Sequence, residues 1–113
     1  REANSALPDE GENIPTPWDR VQNSYTEKSR ILAQMISSRL NTLNSIKNIR
    51  IQGAPLAVLQ GAHMPAILIE AGYLTNPAEE KNLRNHRFLT DVASEISRGI
   101  ENFLTRIHQM NRQ

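Results

Sequence analysis

Cysteine is absent from this chain of 113 residues, and aromatic residues make up only 4% of it. The lack of cysteine excludes disulfides and thiolate metal sites, but it leaves the cellular compartment open. No apolar run approaches the ~18 residues that a membrane-spanning helix needs. Charge of one sign is also not in excess, since thirteen basic and twelve acidic side chains give a formal charge of +1. This balance gives a nucleic-acid or membrane-surface partner no electrostatic support.

An initiator methionine and a signal segment are missing as well, because the chain starts Arg-Glu-Ala-Asn. We therefore expect it to be a piece of a longer protein. Residues 1–17 contain three prolines and a group of acidic residues with little to bury, which predicts a linker or loop. The remaining residues, 18–113, are expected to form the folded part, and their number suits one small unit.

Two stretches have the apolar spacing of amphipathic helices. Ser24 to Glu27 form a capping-box pattern, which predicts a helix start close to Ser24. The apolar residues after it recur at spacings of three and four (Ile31, Leu32, Met35, Ile36, Leu40 and Leu43). Near the other end, Asn76 and Pro77 predict the cap and first position of a short helix that ends at about Arg84. A last amphipathic helix is predicted from about residue 88 to 107.

An apolar run without polar alternation lies between these helices. Residues 66–69 read Ala-Ile-Leu-Ile and are followed by Glu70. The run predicts a strand buried on both faces, as in the middle of an α/β sheet. Residues 56–59 form a second apolar run, too close along the chain for a parallel crossover, so the two strands would be antiparallel neighbours or not adjacent. We therefore expect an α/β fold with a mixed sheet.

Glu70 is the candidate catalytic residue. It follows the predicted strand at its carboxyl end, where open α/β sheets place ligands and chemistry. A carboxylate at such a position suits general acid or base catalysis. A Glu that closes a strand is, however, often only the first solvated residue after the core. Position alone leaves both interpretations open.

Other catalytic constellations are not supported. The histidines, His63, His86 and His108, lack the spacing of a zinc site, and we expect the last two on the surface. Nucleophile motifs and phosphate-binding glycine patterns are absent. A glycosidase would need a carboxylate partner for Glu70, and the candidates lie in predicted helices where we expect them to be solvated (Glu79, Glu80, Asp91, Glu95 and Glu101).

The stretch from Met64 to Pro77 resembles a known catalytic motif. It reads Met-Pro-Ala-Ile-Leu-Ile-Glu-Ala-Gly-Tyr-Leu-Thr-Asn-Pro and is similar to the last motif of the zinc-dependent N-acetylmuramoyl-L-alanine amidases of the type-3 family, which are bacterial cell-wall hydrolases. Residues 29–33, 55–59 and 76–80 also resemble segments of that family. The resemblance extends, in order and spacing, from about residue 18 to residue 104.

This resemblance implies a three-layer α/β/α fold with a mixed, mostly parallel sheet, of which residues 18–113 would be the C-terminal part of the catalytic domain. It implies that Glu70 is the general base and proton shuttle. Zinc would belong to the complete domain, since the family's two His and one Glu ligands lie upstream and their motifs are not in this chain. The isolated chain is then expected to be inactive.

The resemblance also implies the biological setting. The substrate would be peptidoglycan or muropeptides, cut between N-acetylmuramic acid and the L-alanine of the stem peptide, in the bacterial cell envelope, either periplasmic or secreted. A non-catalytic alternative stays open, in which the chain is a folded interaction module. Because half of a covered sheet would expose apolar surface and unpaired edges, we also expect the chain to form homo-oligomers.

Overall fold

The computed structural model describes residues 17–53, 59, 61–72 and 76–112, with their side chains from residue 24 onward. Three helices occupy most of these residues: α1 (Pro17–Leu40), α2 (Pro77–Arg84) and α3 (His86–Met110). Between α1 and α2 the described residues form turns and irregular backbone. None of the helices in this described part combines the length and apolar character needed to cross a lipid bilayer.

The prediction of an α/β fold is wrong for the described residues, which form helices and no strand. A strand must pair its backbone groups with a neighbouring strand, but the N–H of Ala66 donates to the hydroxyl oxygen of Ser29 on α1, at 3.0 Å. Leu68 and Ile69 are exposed, not enclosed between two layers. A short apolar run cannot by its pattern alone establish a strand. The second predicted strand lies, apart from Leu59, outside the described residues.

The three helices differ in how well their starts follow local signals. Helix α1 begins at Pro17, seven residues before the capping-box pattern, so the predicted start near Ser24 is wrong. Proline favours a first helical turn because its fixed φ angle suits the helix and its missing N–H costs nothing there. The predicted start of α2 is confirmed, since Oδ1 of Asn76 accepts from the N–H groups of Ala78 and Glu79 at 3.0 and 3.2 Å.

Asn85 both ends α2 and begins α3. Its backbone N–H donates to the carbonyl oxygen of Asn82 at 3.0 Å. Its side-chain Oδ1 accepts from the N–H groups of Arg87 and Phe88 at 3.0 and 3.3 Å. One residue thus satisfies backbone groups at both helix ends, and α2 passes into α3 without a loop.

The core forms where α1 packs against α3. Ile36 and Leu40 of α1 are buried with Phe88 and Val92 of α3. Partly buried side chains from α1, the connection after it, the Glu70 segment and α3 pack around this group (Leu32, Leu43, Ile46, Ile49, Ile67 and Ile96). The apolar periodicity that predicted two amphipathic helices is therefore confirmed, and one face of each helix supplies the core.

Glu95 of α3 is buried, which makes the prediction that it is solvated wrong. Its Oε2 accepts from Nε and Nη2 of Arg39 on α1, each at 2.8 Å, and its Oε1 accepts from Nη1 of Arg98 at 3.0 Å. A buried carboxylate is tolerated when charged donors satisfy it. The ion pair fixes the last turn of α1 to the middle of α3.

Gly99 sets the distance between the two helices. A Cβ atom at this position would lie 2.7 Å from Cα and 2.8 Å from Cγ1 of Ile36. Only glycine leaves room for the backbone of α1 at the crossing. The approach brings Ile36 against α3, where this side chain is 4% exposed.

We expect Gly99→Ala to lower the free energy of unfolding by about 1–3 kcal/mol, because overlap with backbone atoms forces the helices apart. At an exposed helix position, alanine stabilises the helix by ~1 kcal/mol relative to glycine. A loss of stability in Gly99→Ala would therefore come from the overlap and not from helix propensity. Urea unfolding followed by circular dichroism measures the change. Gly53→Ala is the matched control, since its added Cβ meets nothing within 4 Å. Equal stability of the two variants would contradict the packing described for Gly99.

Candidate functional site

Glu70 lies in the irregular segment formed by residues 61–72, and the residue is exposed. It is therefore not the last residue of a strand, and it is in contact with solvent. The segment passes from the side of α1 to the start of α2. What the Glu70 side chain can do depends on how firmly this segment is held.

Helix α1 anchors the segment upstream of Glu70. The hydroxyl oxygen of Ser29 accepts the N–H of Ala66 at 3.0 Å. One turn earlier on α1, the ring of Tyr25 meets the ring of His63 edge to face, with centroids 6.2 Å apart and planes at 70°. Ile67 packs against the core cluster. Glu70 follows three residues after this last contact, so the anchored part of the segment ends shortly before it in the chain.

Tyr25 and Ser29 anchor the Glu70 segment, and the sequence interpretation missed this role. A signal for them does exist, because residues 25, 29, 32 and 36 are spaced by four, three and four and so lie along one face of a helix. That spacing continues the apolar stripe towards the start of α1. The prediction that the helix begins near Ser24 explains why this signal was missed. With that start, Tyr25 belongs to the first turn of the helix and is not expected to extend its packing face.

A recess is lined in part by Ala71, the residue that follows Glu70 in the chain. Its volume is about 370 Å³, and it is bounded by the connection after α1, by Ala71, by the first turns of α2 and by the start of α3. Phe88 gives it an aromatic wall that is otherwise buried. The full lining combines small or apolar side chains with hydroxyl, amide and charged ones (Ser45, Ile46, Lys47, Asn48, Ala71, Ala78, Glu79, Asn82 and Phe88).

Gly72 lets the backbone approach α2 closely at this recess. Its φ angle is +149°, in a region that residues with a Cβ rarely adopt. An added Cβ would also lie 3.4 Å from Cβ of Glu79 and 3.6 Å from Cδ1 of Leu83. The turn therefore holds Ala71 close to the first turns of α2.

The described residues do not fit a zinc site. No three histidine, aspartate or glutamate side chains among them come together as a group able to hold a metal ion. His63 packs on Tyr25, whereas His86 and His108 are exposed on α3, as predicted. The structure thus does not unite Glu70 with two further ligands from the described part of this chain.

Ser29→Ala should release the segment upstream of Glu70. We expect the amide hydrogen of Ala66 to exchange with solvent about fivefold faster, because an intramolecular hydrogen bond contributes ~1 kcal/mol. Hydrogen-deuterium exchange followed by NMR measures the rate. Ser38→Ala, at an exposed position of the same helix, should leave it unchanged. An unchanged rate in Ser29→Ala would rule out the anchoring role of Ser29.

Comparison with known proteins shows to which family the sequence of this chain is similar. A sequence model described as N-acetylmuramoyl-L-alanine amidase matches residues 10–102. The N-acetylmuramoyl-L-alanine amidase AmiC of Neisseria meningitidis serogroup B is 35% identical over 86 residues, which are 76% of this chain and 21% of that protein. AmiC of Escherichia coli O6:H1 is 29% identical over 86 residues, with the same two shares. An uncharacterized cell wall amidase of Bacillus anthracis is 35% identical over 78 residues, 69% of this chain and 15% of that protein.

No solved structure matches the chain significantly. The chain spans 21% of the length of either AmiC protein, so it corresponds to a minor part of these relatives. The family match nevertheless covers most of the chain, and Glu70, the α1 anchor and the recess all fall within it. On this match the chain belongs to the N-acetylmuramoyl-L-alanine amidase family.

Proposed function

We propose that this chain is the C-terminal part of the catalytic domain of a peptidoglycan hydrolase, with the residues that precede α1 as a linker or loop. The enzyme cleaves the amide between N-acetylmuramic acid and the L-alanine of the stem peptide. Family membership supports the reaction class. The observation that carries the proposal for this chain is the solvent exposure of Glu70, which follows a segment anchored to α1 and directly precedes Ala71 in the wall of the recess.

Glu70 serves this reaction as a general base and then as a general acid. Its carboxylate removes a proton from a water molecule as the water oxygen bonds to the scissile carbonyl carbon. The carboxylic acid then returns the proton to the nitrogen of L-alanine while the C–N bond breaks. Both steps need a carboxylate that is accessible and well positioned, which the exposure of Glu70 and the Ser29 anchor favour.

Zinc enters the proposal only for the complete enzyme. The described residues do not fit the metal, since they offer no set of three ligands, and none of the steps above is assigned to it. We propose that the ligands come from other parts of the longer protein and that the isolated chain is inactive. Because peptidoglycan is the substrate, the proposed location is the bacterial cell envelope, either periplasmic or secreted.

In the complete enzyme, Glu70→Gln should lower kcat by at least ~10²-fold, because an amide cannot accept and return the proton. Bound zinc, measured by metal analysis, should stay the same. The assay follows release of stem peptide from muropeptides. Glu101→Gln, an exposed carboxylate on α3, is the matched control and should keep full activity. Activity of Glu70→Gln within threefold of the parent would reject the role of Glu70.

A second candidate function is self-association, which exposed apolar side chains on the Glu70 segment and on the connection after α1 favour. Met64 and Leu68 are 61% and 49% exposed, and Ile51 is 48% exposed. Apolar side chains left in water are favourable to cover on association. As an interaction module, the chain would use these side chains to bind a second copy.

We expect the chain to form dimers or larger assemblies at micromolar concentrations, and the double substitution Met64→Ser and Leu68→Ser to shift it towards the monomer, because it removes apolar contact area. Sedimentation velocity over a concentration series measures both. The substitution Leu104→Ser on α3, which is also exposed, is the control for a general gain in solubility. A parent chain that stays monomeric throughout the series would argue against the second candidate.

A further inference from the structure

We propose that residues 47–53, in the connection after α1, bind an extended acidic segment of a partner protein by pairing their backbone with it, as one β-strand does with another. The proposal goes beyond the proposed function, because it assigns a partner to a segment that the proposed reaction does not use. Neither the match to the family nor the names of the relatives assign any role to this segment.

The backbone of residues 47–53 has no partner in the described part of the chain. The connection after α1 begins with turns, in which the N–H of Ile46 donates to the carbonyl oxygen of Leu43 at 3.2 Å. None of the backbone hydrogen bonds between described residues involves residues 47–53, and this stretch contains neither a turn nor a bend. Its N–H and C=O groups are therefore open to a partner strand, which gains affinity from main-chain hydrogen bonds.

The side chains of this segment have the pattern of a strand. Isoleucine is enriched in strands, and Ile49 and Ile51 are two residues apart. Glycine and proline, which are common in turns, do not occur between α1 and Gly53. In an extended chain successive side chains point to opposite sides, so the two isoleucines would share one side. The other side would carry only polar residues (Asn48, Arg50 and Gln52).

The helical core supports the segment. Ile46 and Ile49 are partly buried and pack against the cluster formed by α1 and α3, whereas Ile51 is 48% exposed. A pair of strands is only marginally stable in water unless it packs against a further element. The contact of Ile49 with the core provides such packing, and an apolar side chain of the partner segment would cover Ile51.

Arg50 and Lys47 select an acidic partner. Both are exposed, and neither takes part in the ion pairs among the described residues. A carboxylate opposite Arg50 would form a favourable cross-strand pair. Two copies of the chain, paired so that Ile49 faces Ile51, would bring Arg50 opposite Arg50, and like charges in this arrangement are destabilising. The charges therefore favour an acidic segment over a second copy at this edge.

The probe is the peptide acetyl-Thr-Thr-Val-Glu-Val-Thr-Thr-amide, which consists of strand-forming residues with one carboxylate at the centre. When its Glu lies opposite Arg50, its two Val residues lie opposite Ile49 and Ile51, whichever way the peptide runs. We expect it to shift the NMR amide signals of residues 47–53 in the 113-residue chain. Exchange of alternate amide hydrogens in this stretch should also slow, because every second N–H donates to the bound strand.

Two analogues of the peptide separate charge from backbone pairing. Replacement of its Glu by Lys should weaken binding about fivefold, the upper range for an exposed ion pair. Methylation of the backbone nitrogens of the three central residues keeps the side chains and the charge but removes the N–H donors. This analogue should cause no shift of residues 47–53.

Arg50→Glu should reverse the preference of the chain, so that the Lys peptide binds about fivefold more tightly than the Glu peptide. The variant should fold like the parent, because Arg50 is exposed and outside the ion pairs. Arg106→Glu is the matched control, since Arg106 is also exposed and outside these ion pairs but lies near the end of α3. It should keep the preference of the parent.

Four results would overturn the proposal. The first is the absence of shifts at residues 47–53 at millimolar peptide. The second is equal affinity of the parent chain for the Glu and Lys peptides, and the third is undiminished binding of the methylated analogue. The fourth is a change in the signals of residues 47–53 with protein concentration alone, which would identify a second copy as the occupant of this edge. None of these results bears on Glu70→Gln, which tests the proposed reaction separately.

Discussion

The close approach of α1 and α3 at Gly99 is the contact on which the rest of the described structure depends. Because Gly99 has no side chain, Ile36 lies directly against α3, and Leu40 joins Phe88 and Val92 in the core. The same approach brings Arg39 within 2.8 Å of Glu95. Apolar packing and a part-buried ion pair thus act at successive turns of one interface.

This interface also determines how the candidate site is held. The face of α1 that carries Ile36 carries Ser29 and Tyr25 two turns or more earlier, and these residues hold the segment that leads to Glu70. The start of α3 contributes Phe88 both to the core and to the wall of the recess. The site is therefore built next to the core, from the middle of α1, the connection after it and the start of α3, an arrangement that positions side chains well while leaving them accessible.

Local signals predicted the helices but not the contacts between segments. The cap at Asn76, the end of α2 at Arg84 and the apolar stripes of α1 and α3 follow from interactions within a few residues, and these predictions are confirmed. The strand at residues 66–69 was predicted wrongly because strand formation depends on a partner distant in the sequence. The burial of Glu95 was missed for a related reason, since its main partner, Arg39, lies on another helix. Glu70 is a prediction from a motif, whereas the recess joins residues 45–48 to Ala71, α2 and Phe88, and no single stretch of the sequence indicates it.

The role of Asn85 at two helix ends has a mechanical consequence. With a single residue as the joint, α2 and α3 meet at a corner, and within the described residues it is α3 that packs against α1. A small rotation of α3 in its packing would be carried through this corner into a displacement of α2, and the recess would widen or narrow accordingly. Because Phe88 belongs both to the core and to the wall of the recess, substitutions in the core would also change the shape of the recess.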